Sequence, residues 1–265
     1  MCDIIVISKE KKIMKLKRFS STVLAAVISF ATLAFAVGCA DEEKNAIKVN
    51  FSQVMLSCLG DSITDERSGI KYPMQLKTEL GLGAVNNYGS SGATLSGAHK
   101  SAPTNTLLNQ YPKIDEDSNI VSVMAGVNDF KYHHVPLGQK GDTGSETFYG
   151  GLEQLITGIK KRCPDAYIFF MTPYKCTKYD EANNAGHVLA DYVNAIIDMC
   201  EEYDIDYINF FVDGGFDFNN PMHTADGLHP LERFYEEYTT PALVKFIRTN
   251  YTKFYREQVK NQAQA

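Results

Sequence analysis

No segment of this 265-residue chain repeats at a fixed period and none is of low complexity, which excludes a solenoid and confines any disorder to the chain ends. The apolar run from Val23 to Val37 is too short for a comfortable membrane span. The six cysteines show no spacing that suggests zinc. Basic side chains are scarce in the body of the chain: from Cys39 onward 20 basic residues face 30 acidic ones, a formal balance of −10. That charge argues against a nucleic-acid partner and suits a neutral substrate. What is present is 44% hydrophobic content, enough for one sizeable α/β domain with a buried sheet and little for a second.

The amino-terminal segment reads as an address. Lys15, Lys17 and Arg18 precede the uncharged run, which closes on Ala36-Val37-Gly38-Cys39. A basic start, an apolar stretch and small residues before a cysteine resemble a bacterial lipoprotein signal peptide. The expectation is a signal peptide over residues 1–38, lipidation of Cys39, and a polar tether over 39–50 that leads into a catalytic domain over 51–260. Ala36 stands where that pattern more often has leucine. Met14-Lys15-Leu16-Lys17-Arg18 looks like a signal-peptide start, so translation is expected to begin at Met14. Cys58, in an apolar strand, and Cys200, on an apolar helix face, are expected as buried free thiols.

Beyond the tether, apolar runs alternate with helical patterns, which argues for βαβ units and a parallel sheet. Strands are expected at Val54 to Leu59, Ala84 to Tyr88, Ile120 to Ala125, Ala166 to Met171 and Ile205 to Phe210. The first, third and fourth are continuously apolar, as strands covered on both faces should be. Phe148, Leu152, Leu155, Ile156 and Ile159 recur at helical spacing, as do Val188, Tyr192, Val193, Ile196 and Cys200. A last helical region starts near Leu231, with a break or kink expected at Thr240-Pro241.

Chemistry gathers where strands end. The first strand runs into Gly60-Asp61-Ser62-Ile63-Thr64 and the second into Asn87-Tyr88-Gly89-Ser90-Ser91-Gly92. The third runs into Gly126-Val127-Asn128-Asp129, and the fifth precedes Asp226-Gly227-Leu228-His229-Pro230. Ligands of open α/β sheets bind at that carboxyl edge. A serine there, with an imidazole to take its proton, is an activated nucleophile, and an aspartate three residues before the histidine can fix the ring's tautomer. Singly, each residue has a plain structural use as a cap or turn former.

Together and in this order, the four segments resemble the signature blocks of the SGNH (GDSL) hydrolases over roughly Val54 to Phe246. The resemblance implies an α/β fold of flavodoxin-like type, a three-layer α/β/α sandwich on a five-stranded parallel sheet. It implies Ser62 as nucleophile, Asp226 and His229 as its triad partners, and Ser62, Gly92 and Asn128 as oxyanion-hole donors. No metal or organic cofactor is implied. After His229-Pro230 the family often has asparagine and later a glycine before tyrosine; this chain has Leu231, and Phe234 before Tyr235. The Gly-x-Ser-x-Gly elbow of α/β-hydrolases is absent, which favours the SGNH resemblance. Asp61 and Asp129 are expected to bond backbone groups; His133 and His134 lie in a loop over Lys131 to Glu146 that could line the substrate cleft, with exposed surface histidines as the favoured expectation. His223 is passed over as base because His229-Pro230 fits the pattern. Phe130, Tyr132 and Tyr174 can stack on sugar rings or simply pack.

The expected function is extracytoplasmic hydrolysis of carboxylic esters through an acyl-enzyme, with acetylated carbohydrate as the favoured substrate. The partner is thus a small-molecule or polysaccharide ester, with membrane contact through the lipid anchor alone. A lipase or lysophospholipase, and a noncatalytic glycan-binding surface lipoprotein, are the alternatives. Specificity is expected in the segments Ala98 to Lys113, Lys131 to Glu146 and Tyr174 to Gly186.

Overall fold

Continuous apolar character makes strands of the three central segments here because both faces of each can be buried at once, and two less buried segments pair along the edges. The strands are β1 (Met55–Gly60), β2 (Ala84–Asn87), β3 (Ile120–Met124), β4 (Tyr167–Met171) and β5 (Asp206–Ile208). All pair in parallel, in the order β2-β1-β3-β4-β5. The computed structural model describes residues 47–264, so the expectations for Cys39 and the address segment lie outside the described residues.

Successive side chains of a strand point to opposite faces, and the sheet separates two apolar layers accordingly. Leu56, Cys58, Ile120, Tyr167, Phe169 and Met171 enter one core, which α1 (Tyr72–Leu80) and α5 (Thr240–Gln262) complete with Leu76, Leu80, Leu243 and Ile247. Leu59, Val121, Val123, Ile168 and Phe170 enter the other, covered by α3 (Phe148–Arg162) and α4 (Leu189–Glu202). The result is the expected three-layer α/β/α sandwich. The helical stripes read from the sequence fill the second core, with Val188 at the amino-terminal cap of α4. Among the described residues no helix is long and apolar enough to cross a membrane.

The kink expected at Thr240-Pro241 takes another form. A π-helical turn, Tyr235–Thr239, leads without interruption into α5. Pro241 has no N–H to offer the preceding turn, and a wider turn just before it accommodates that loss. Thr240 does not act as a cap: its hydroxyl donates to Gln75 Oε1 at 2.6 Å. The four described cysteines are buried free thiols, Cys58 being pushed up to about 12 by burial, so the core holds no disulfide among the described residues.

The strand order places the site. The chain steps from β1 to one side to make β2, then crosses to the other side of β1 to make β3. The direction of winding therefore reverses between β1 and β3, and the loops leaving their carboxyl ends diverge to open a crevice. Ser62 follows β1, and Asn128 lies in the short helix α2 (Val127–Lys131) that follows β3.

Candidate active site

Gly60 ends β1 where nothing larger fits: a Cβ there would lie 2.1 Å from Thr64 Oγ1 and 2.8 Å from the Met124 carbonyl oxygen. Gln110 holds this strand end with its whole amide, accepting from the Gly60 N–H at 3.1 Å and donating to the Gly60 carbonyl at 3.0 Å. Asp61 is buried and accepts the Ile63 N–H at 2.9 Å, which tightens the turn and leaves the Ser62 side chain facing the crevice. Burial pushes the Asp61 carboxyl up to about 7. Asp129, also buried, is raised to about 6 by the same cause and accepts the Leu95 and Ser96 N–H groups at 2.8 and 3.1 Å. Both aspartates thus bond backbone groups around turns, and neither lines the crevice.

The serine meets its expected partners. Ser62 Oγ lies 2.8 Å from His229 Nε2, across 167 residues of sequence, and His229 Nδ1 lies 2.6 Å from Asp226 Oδ2. The carboxylate is itself anchored: Oδ1 accepts the Leu228 and His229 N–H groups at 3.0 and 2.8 Å and the Thr224 hydroxyl at 3.1 Å. Burial works against its charge, but the bonds from His229 and Leu228 prevail and hold the Asp226 carboxyl well below the usual carboxylate range. The intervening Gly227 has φ +74° and would drive a Cβ to 2.1 Å from Thr177 Oγ1, so the turn needs glycine. With Nδ1 directed at a carboxylate, the ring carries its hydrogen there, leaving Nε2 as the acceptor for the serine hydroxyl.

The cleft is also lined by residues whose N–H groups the fold leaves unspent. Neither the Ser62 nor the Gly92 backbone N–H has a protein acceptor among the described residues, and both residues line the crevice. Gly92, at φ +79°, sits in a turn clamped from two sides. Asp65 Oδ2 accepts the Ser91 N–H and hydroxyl at 3.0 and 2.7 Å, while Asn105 Nδ2 donates to the Ser91 carbonyl at 3.0 Å. Asn128 is buried and spends one amide hydrogen on the Ala93 carbonyl at 2.9 Å, keeping the other. Lys71, its ammonium lowered by burial, donates to the Ser62 carbonyl and steadies the turn from beneath.

All five residues expected in the site, Ser62, Gly92, Asn128, Asp226 and His229, line one cleft of about 820 Å³. Other expectations change. His133 is not a surface histidine: it is half-buried, lines this cleft and packs its ring 3.8 Å from that of His99. His134 is half-buried as well, with φ +48° and a buried Nδ1 that has no partner. Phe130 and Tyr174 are buried in the two cores, and only Tyr132 is exposed in the cleft. His223 accepts the Asp217 N–H at 3.0 Å and packs on Phe234, away from Ser62. The segments after Ala98 and Lys131 supply lining residues as expected, but that from Tyr174 to Gly186 contributes none; its Thr177 N–H bonds the Gly227 carbonyl. Sequence reasoning missed Asp65, Lys71, Asn105 and His99, for none stands in a recognisable spacing.

A five-stranded parallel sheet covered on both faces, with a hydroxyl–imidazole–carboxylate chain beyond the carboxyl ends of its strands, is a three-layer α/β/α sandwich that carries the side chains of a serine hydrolase. The profile of the GDSL-like lipase/acylhydrolase family matches residues 58–236, and the chain belongs to that family of ester hydrolases. One solved structure is 30% identical, with 76% of this chain and 99% of that one covered and a TM-score of 0.69. A protein from Lactobacillus plantarum is 27% identical, over 77% of this chain and 99% of that one, with a TM-score of 0.68. A carbohydrate acetylesterase family member from Sinorhizobium meliloti shares the fold at 17% identity, over 74% and 98% of the two chains, with a TM-score of 0.53. No curated protein sequence matches this chain.

Proposed function

We propose that this protein is a serine esterase that acts through an acyl-enzyme on Ser62. The observation that carries the reading is the unbroken hydrogen-bond chain from Asp226 through His229 to Ser62, at 2.6 and 2.8 Å, beside unpaired N–H groups. Ser62 Oγ attacks the ester carbonyl carbon as its proton passes to His229 Nε2, and Asp226 stabilises the imidazolium. The carbonyl oxygen takes the negative charge, facing the N–H groups of Ser62 and Gly92 and the free amide hydrogen of Asn128. Collapse expels the alcohol, which takes the proton from His229. Water then attacks the acyl-enzyme by the same route, releasing the carboxylic acid and restoring Ser62.

The favoured substrates are small-acyl, chiefly acetyl, esters of carbohydrates. An acidic body that suits neutral ligands supports this, as does the likeness in fold to the acetylesterase family member. One observation favours a longer acyl chain: a groove of about 790 Å³ adjoins the cleft through Ile70 and Glu232 and is lined by Met74, Pro241 and Val244. The deciding assay is p-nitrophenol release from acetyl, butyryl and octanoyl esters, with Ser62→Ala alongside. Turnover that falls with chain length and vanishes in the variant is expected; best turnover on octanoate assigns the groove to the acyl chain. No turnover, with no labelling of Ser62 by a fluorophosphonate, overturns the esterase reading in favour of a glycan-binding protein.

The reading includes export and a lipid on Cys39, supported by the basic start and the small residues before that cysteine. In a bacterial host, labelled palmitate is expected to enter the full chain and to be lost in Cys39→Ala; equal incorporation in both rules the anchor out.

A further inference from the structure

The residues lining the cleft fall into two groups of different chemistry. Ile70 and Leu231 are exposed apolar side chains of the lining. The second group comes from the turn after β2 and from the end of α2, which Asn128 and Asp129 bind together through Ala93, Leu95 and Ser96. It presents His99, Ser101, Asn105, Tyr132 and His133.

His99 is the fixed member of this group. It is 5% exposed, and its Nδ1 accepts the Ala102 N–H at 2.9 Å. An imidazole nitrogen that accepts a backbone N–H carries no hydrogen, so the ring's hydrogen must sit on Nε2. That Nε2–H has no protein acceptor among the described residues, and it is not sealed in the core, because His99 lines the cleft. A largely buried ring therefore holds one hydrogen-bond donor ready on the cleft surface. The His133 ring lies against it, 3.8 Å between centroids and tilted by 40°. Burial, with the neighbouring His99 and His134, lowers the His133 imidazole below its usual range, which favours its uncharged form.

We infer that the His99–His133 pair is the subsite for an uncharged, oxygen-rich portion of the substrate, with His99 Nε2–H donating to a hydroxyl or ring oxygen and the His133 ring closing over it. This rests on the esterase reading and names its substrate class: esters whose other part is a polyhydroxylated, sugar-like group. A neutral donor suits such an oxygen, whereas an anion would call for a cation. Lys71, the lysine lining the same cleft, is committed to the Ser62 carbonyl.

The test separates binding from turnover. In a Ser62→Ala background, calorimetry measures the affinity for an acetylated xylo-oligosaccharide with His99 intact, with His99→Phe and with His99→Gln. His99→Phe keeps the ring volume and is expected to weaken binding about tenfold, the worth of one good hydrogen bond. His99→Gln can both accept from Ala102 and donate to ligand, and is expected to recover most of the loss. On p-nitrophenyl acetate, which has no hydroxyl to recognise, His99→Phe with Ser62 intact is expected to keep kcat/KM within about twofold. Unchanged affinity in His99→Phe, no binding by the Ser62→Ala parent, or an equal loss on p-nitrophenyl acetate overturns the subsite. Failure of wild-type turnover on that simple ester would instead count against the esterase reading, whatever the calorimetry shows.

Discussion

The side-chain amide of Asn128 carries two hydrogens, and the fold uses one of them, in the bond to the Ala93 carbonyl. The other is available to a developing oxyanion, so removal of the amide has separable effects on stability and on rate. Asn128→Ala is expected to lose about 10² to 10³ in kcat, the usual cost of one oxyanion donor, with the Tm lowered by only a few degrees for the lost Ala93 bond. Near-normal kcat in a folded variant would remove Asn128 from the mechanism. At this scale the site was largely legible. Ser62, Gly92, Asn128, Asp226 and His229 stand in short segments whose residue types announce their chemistry. Asp65 and Asn105, which hold the Gly92 turn by gripping Ser91, stand in no such pattern. Their partners are 26 and 14 residues away, and only the folded chain brings them together.

Among the elements, the central strands were read well because doubly covered strands are continuously apolar, and α3 and α4 because their buried faces repeat every three or four residues, whereas α1 was not read. The path around Pro241 was not, since a widened turn and a kink both answer a missing N–H and nothing local selects between them. Placement of the histidines failed for a related reason: a ring in a loop is buried or exposed according to which loop packs on it. The strand–turn junction at Gly60 makes a sharp prediction. Its Cβ would press on the Thr64 side chain and on the backbone of β3, neither of which can yield without moving the Ser62 turn. Gly60→Ala is expected to lower stability by about 1 to 3 kcal/mol in urea unfolding and to reduce kcat in the folded fraction. A stability within error of wild type would mean that the junction has slack the structure does not display.

For the molecule as a whole, buried carboxyls contribute to the response to pH. Asp61 and Asp129 are raised to about 7 and about 6, so the folded protein retains protons that the unfolded chain releases nearer pH 4. The native state then binds more protons across that window, and stability falls as pH rises from roughly 4 to 7. Asp226 and Asp65 are lowered by their hydrogen bonds and act in the opposite sense, adding stability above the ordinary aspartate range and losing it as pH falls below that range. Both terms favour a maximum on the acid side of neutrality. Asp61→Asn keeps an acceptor for the Ile63 N–H without the charge. It is expected to gain on the order of 1 kcal/mol at pH 8 relative to wild type and to show a flatter profile in urea unfolding between pH 5 and pH 8. A wild-type protein that grows more stable from pH 5 to pH 8 would contradict this account.

In the proposed mechanism the base, His229, and the carboxylate that supports it, Asp226, share a single four-residue turn, and the carboxylate bonds both the ring and the backbone of the histidine. That pair is local in sequence, and the turn that joins it is held in place by the Thr177 N–H on the Gly227 carbonyl. Bringing the proposed reacting groups together therefore depends on one distant encounter, between the Ser62 turn and a turn that already joins the other two, instead of two that must coincide. The entropy of bringing three separated segments into register is reduced to that of a single closure. Loss of that one contact, between the Ser62 turn and the His229 ring, is therefore enough to take the proposed reacting groups apart.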